Sequence, residues 1–83
     1  MKVTVKYFAS IREAIGTAAE ARESQAGTLA DLRDELIAQG GPYADSLARG
    51  KAVRMALNQV MVDESAALSD GAEVAFFPPV TGG

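Results

Sequence analysis

A chain of 83 residues with neither cysteine nor histidine has few ways to do chemistry. The missing residues remove thiol nucleophiles, disulfides, imidazole bases and the usual Cys/His zinc sites. No phosphate-cradling G-x-x-x-x-G-K-[ST] run, G-x-G-x-x-G run or Ser/His/Asp set is present. Carboxylates are plentiful, but Asp31, Asp34 and Glu35 fall on the exposed side or first turns of a helical segment, and Asp63-Glu64 falls in a connection. Their pattern suits solvation and capping. The carboxylates offer no dedicated transition-metal set. Met55 and Met61 occupy strand positions and suit core or interface packing.

One reactive group remains, the terminal carboxylate of Gly83, at the end of "FFPPVTGG". A carboxylate becomes an acyl donor once its oxygen is made a leaving group, as in an acyl-adenylate. The chain carries no nucleotide motif, so a partner would have to supply that step. The segment Pro78 to Gly83 reaches about 20 Å at ~3.3 Å per extended residue, enough to enter a partner's pocket. Pro78-Pro79 hold its root extended and lower the entropy lost on docking. Gly82 and Gly83 carry no Cβ, so they fit a narrow channel beside the reacting carbonyl. No charged side chain lies between Val74 and Gly83, so threading requires little desolvation.

Such a tail needs a body to present it. "MKVTVKYF" alternates, with Val3, Val5 and Tyr7 on one face, and predicts a half-buried strand. "ASIREAIG" predicts a short helical turn stopped by Gly16. "TAAEARES" satisfies helix propensity and strand alternation alike; we read it as a strand, hairpin partner of the first. "GTLADLRDELIAQGG" is the clearest element. Thr28 is the N-cap, Asp31 its return contact, and Leu29, Leu32, Leu36 and Ile37 form one apolar stripe. Gly40 or Gly41 suits a left-handed C-cap, and Pro42 blocks continuation. "YADSLARG" suggests one more helical turn. "VRMALNQVMV" predicts a strand with Val53, Met55 and Leu57 inward, a break at Asn58-Gln59, and a short strand from Val60 to Val62. A turn at Asp70-Gly71 precedes a last strand from about Glu73 to Phe77, which Pro78 ends. One sheet with one main helix across a face is an α+β arrangement.

Composition narrows the partners. Eleven acidic against eight basic residues give a net charge of −3, with the basic residues scattered singly. This disfavours nucleic acid. No apolar run approaches the ~20 residues of a membrane helix, and Met1 leads directly into a strand pattern rather than a secretory signal, so the cytoplasm is the expected compartment.

The pieces "VKYFASIRE", "TLADLRDEL", "ALNQ" and "LSDGAEVAFFPP", with the terminal Gly82-Gly83, span the chain. Together they resemble the small subunits of molybdopterin synthase, a family of ubiquitin-like sulfur carriers. The resemblance implies a β-grasp fold over residues 1–77, with a mixed sheet of about five strands, and a flexible tail over 78–83. It implies that a ubiquitin-activating-like adenylyltransferase adenylates Gly83 with ATP, that a sulfurtransferase supplies sulfur to form a thiocarboxylate, and that the loaded tail enters the large synthase subunit. There the sulfur builds the dithiolene of molybdopterin. The chain would then be a non-catalytic sulfur donor, active only with the large subunit and holding no cofactor or metal of its own. Gly82 and Gly83 would be the reactive end, and Phe77, Pro78, Pro79, Val80 and Thr81 would contact partners. Arg12 matches the family's "RE" segment near that surface; a surface salt bridge is its other reading. Three other functions use the same features: a sulfur carrier of the thiamine or cysteine pathway, a protein modifier joined to lysines through Gly83, and an interaction module with an inert tail. The paired aromatics before paired prolines favour the molybdopterin branch.

Overall fold

The structure, a computed structural model, describes residues 1–79. Val80, Thr81, Gly82 and Gly83, expected to form the end of the tail, lie outside the described residues. The chain runs β1 (Lys2–Tyr7), α1 (Ala9–Ile15), β2 (Ala19–Glu23), α2 (Leu29–Ile37), α3 (Gly41–Leu47), β3 (Arg54–Leu57), β4 (Val60–Val62) and β5 (Glu73–Phe77). The strands form one mixed sheet in the order β2-β1-β5-β3-β4. β1 and β5 pair in parallel at its centre, and the other pairings are antiparallel. This is the β-grasp arrangement.

Period-two alternation sorts the sheet into two faces. Val3, Val5 and Tyr7 of β1, Met55 of β3, and Val74 and Phe76 of β5 are buried on one face. They meet the stripe Leu29, Leu32 and Leu36 of α2, each 0% exposed. Leu47 of α3, Ile11 of α1 and the loop residues Ala26, Leu68 and Ala72 complete this core, while Val53, Leu57 and Ile37 pack against it half-buried. The stripe forms because Thr28 starts the helix in register: its Oγ1 accepts the Asp31 N–H at 3.1 Å.

"TAAEARES" resolves as strand, with an unusual polarity. Glu20 lies opposite Val5 and Arg22 opposite Val3, so β2 turns two of its three charged residues toward the helix side, and Glu23, opposite Lys2, faces away. There the Tyr43 hydroxyl donates to Glu20 at 2.8 Å, and Arg22 lies 3.6 Å from Glu35. Inward-pointing charges on an edge strand discourage pairing with another chain.

The link between α2 and α3 differs from expectation in detail. Ala38, the first residue past α2, stays right-handed, and the chain reverses at Gly40 and Gly41, with φ of 75° and 54°. Pro42 ends nothing. It sits in the first turn of α3, where its missing N–H costs no helical bond, and α3 runs for seven residues rather than one turn.

Candidate functional site: the root of the tail and the open sheet face

Because Val74 and Phe76 point into the core, Glu73, Ala75 and Phe77 must lie on the opposite face of β5. The register adds Lys6 from β1 and Arg54 and Ala56 from β3. Met61 of β4 pairs with Ala56 and shares this face, 54% exposed. A groove runs along the outer side of β5, floored by the small residues Ala56 and Ala75 and bounded by Phe8, Phe77, Pro78 and Pro79. Lys6 Nζ and Glu73 Oε1 form a half-exposed ion pair at 3.3 Å across it.

Two rings make the apolar wall. Phe8 and Phe77 meet edge to face, with centroids 6.4 Å apart and planes at 87°. Phe77 is brought there by strand alternation. Phe8 is brought there by the β1–β5 ladder, because its N–H donates to the Phe76 carbonyl at 3.2 Å. The chain then turns sharply through Ala9, whose φ of 51° is left-handed, and enters α1. Phe8 remains 45% exposed.

Pro78 leaves the strand half-buried, and Pro79 is exposed. Pro78 also borders a second groove between α1 and α3, beside Ile11, Asp45 and Lys51. Arg12 lies on α1 one helical turn after Phe8, and its N–H donates to the Phe8 carbonyl at 3.2 Å. Its side chain is exposed and forms no ion pair among the described residues. Buried Ile11 and the left-handed Gly16 cap (φ 90°) hold α1 in place. Thus Phe77, Pro78 and Pro79 lie together at the start of the tail, Arg12 stands on the neighbouring α1 and lines neither groove, and Val80, Thr81, Gly82 and Gly83 lie outside the described residues.

The sequence pattern singled out Phe77 but missed Phe8, and left Met61 between core and interface packing. The signal was strict alternation: Phe8 is out of phase with inward Tyr7, and Met61 is out of phase with Val62, which packs against the core.

The groove presents mainly apolar surface with the Lys6–Glu73 ion pair beside it. No group of three or more His, Cys, Asp or Glu residues capable of holding a metal occurs among the described residues. The perturbed phenols lie elsewhere. Burial, then the Glu20 carboxylate, pushes Tyr7 up on the core side of the sheet, and the hydrogen bond to Glu20 raises Tyr43. Both stay neutral and structural. Among the described residues no helix is long and apolar enough to cross a membrane.

Comparison with known proteins gives a consistent picture. The model of the ThiS family matches residues 5–83. The molybdopterin synthase sulfur carrier subunit of Escherichia coli (strain K12) is 43% identical over 81 residues, covering 98% of this chain and 99% of that protein. The subunit of the same name from Mycobacterium tuberculosis (strain ATCC 25618 / H37Rv) is 42% identical over 85 residues, covering 100% and 99%. Among solved structures, a chain in the protein–protein complex of subunits 1 and 2 of the molybdopterin-converting factor from Helicobacter pylori 26695 superposes with a TM-score of 0.70. It is 27% identical, and all of both chains is covered.

Proposed function

Because the chain belongs to the ThiS family, we propose that it is the sulfur carrier subunit of a molybdopterin synthase. The observation that carries this reading is identity above 40% to carriers of that name along almost their entire length. The open apolar face beside the tail supports it, since a carrier must be held by its partners while its end reacts.

The proposed chemistry belongs to the Gly83 carboxylate. In an adenylyltransferase partner, a carboxylate oxygen attacks the α-phosphorus of ATP and releases pyrophosphate. The outer sulfur of a sulfurtransferase persulfide then displaces AMP, which carries that oxygen away, and a second thiol cleaves the resulting acyl disulfide, forming a disulfide with the sulfurtransferase and releasing the thiocarboxylate. In the large synthase subunit the sulfur passes to the pterin precursor, and water restores the carboxylate. In this reading the carrier holds no cofactor, ATP is used by its partner, and the cycle runs in the cytoplasm. Gly82 and Gly83 enter the partner's channel without side-chain bulk. Val80 and Thr81 span the approach, Pro78 and Pro79 stiffen its root, and Phe77 with Arg12 meets the partner surface.

Reconstitution tests the assignment. Thiocarboxylated carrier, large subunit and pterin precursor should yield molybdopterin, and the chain lacking Gly83 should yield none. Product formation by the truncated chain would reject the reading.

A further inference from the structure

The β3–β4 connection has two residues, Asn58 and Gln59, both with positive φ, 51° and 70°. Two-residue hairpin turns of this kind favour Asn followed by Gly, because both central residues must be left-handed. Asn58 fits. Its Oδ1 accepts the Glu73 N–H at 3.0 Å and its own N–H donates to the Glu73 carbonyl at 2.8 Å, which clamps the turn to the start of β5. Gln59 does not fit. It carries a long side chain where glycine would be unstrained. That side chain is exposed, makes no hydrogen bond among the described residues, and lines the groove next to Glu73. The packing of this chain gives no reason for it.

Its position suggests one. Gln59 marks the end of the groove near Glu73, whereas Phe77, Pro78 and Pro79 mark the end at the tail. Glu73 and Phe77 are separated by about 13 Å of strand. An apolar contact at Phe77 alone is non-directional, so a partner held there could pivot. A directional polar contact at the far end would fix the line along which the tail enters. We infer that Gln59 is a positioning residue: its carboxamide hydrogen-bonds to main-chain groups of the large synthase subunit and orients the docked carrier. Backbone strain retained at an exposed position, without a partner in its own chain, is what such a role leaves behind. This inference rests on the docking role of the open face proposed above.

The test uses the full chain with Gln59→Gly, Gln59→Ala and, in parallel, Phe77→Ala. Thermal unfolding and calorimetric titration with the large subunit are measured for each. Gln59→Gly relieves the turn, so its Tm should be unchanged or higher, while its affinity falls about five-fold, the size of one hydrogen bond. Gln59→Ala should lose affinity equally. A turn residue with only a structural role would not weaken binding in a variant at least as stable as wild type. Unchanged affinity for Gln59→Gly, with Phe77→Ala weakened, would overturn the inference alone. Unchanged affinity for all three variants would overturn the docking face with it.

Discussion

Phe77 and Phe8 meet edge to face on the open side of the sheet, and neither ring is fully covered. A ring held by its neighbours but open to solvent loses little freedom on docking, which suits it as an anchor. Phe77→Ala should therefore weaken binding to the large subunit by more than about 1 kcal/mol, with Phe8→Ala acting in the same direction; calorimetry measures both. The reactive end makes a different demand, for position rather than burial. Adding one residue after Gly83 moves the carbonyl by ~3.5 Å. Misplacement on that scale removes most of the advantage of a positioned reactant, so single-turnover sulfur transfer should collapse while the thermal midpoint stays constant. At this scale the sequence was informative because so few reactive groups were present. Phe8 was hidden because an aromatic at the end of a strand resembles core until its phase is checked against Tyr7.

Among the elements, α2 was the easiest to read, since its N-cap and apolar stripe agree. Leu32 is 0% exposed at its centre, and Leu32→Ala should cost roughly 2–5 kcal/mol in urea unfolding. β2 was ambiguous for a physical reason: its inward face holds Glu20 and Arg22, so hydrophobic alternation had nothing to mark. α3 was underestimated because proline was counted as a breaker, although the first helical turn tolerates it. The least legible feature was Arg33 of α2, buried at 5% exposure. Its Nε donates to the Leu47 carbonyl at 2.7 Å, and its Nη2 donates to those of Ala48 and Lys51 at 2.8 and 3.2 Å. Glu64 lies 3.3 Å from its Nη1. The guanidinium thus satisfies carbonyls at the end of α3 that have no helical partner. None of those partners has a side-chain signature, so no sequence pattern announced them. Arg33→Met should lower stability by roughly 1–3 kcal/mol, because it leaves the carbonyl of buried Leu47 without the Nε donor; chemical denaturation would show a lower midpoint.

For the molecule as a whole, the central parallel pair β1–β5 decides where function can sit. It puts the last strand in the middle of the sheet, so the chain leaves the fold beside a broad face instead of at an edge. The groove, Phe8, Phe77 and the root of the tail are neighbours for that reason. The described residues hold no metal-ligating cluster, and the chain has no cysteine or histidine; the proposed function therefore assigns the reactivity to Gly83. Sulfur carried on the backbone terminus is the central claim. Intact mass spectrometry after incubation with ATP, the activating enzyme and a sulfur source tests it most directly. The account predicts that the wild-type chain exchanges one terminal oxygen for sulfur, that omitting ATP abolishes the exchange, and that the chain lacking Gly83 remains unmodified. A sulfur-bearing product from the truncated chain, or sulfur mapped to an internal residue of the wild type, would contradict it.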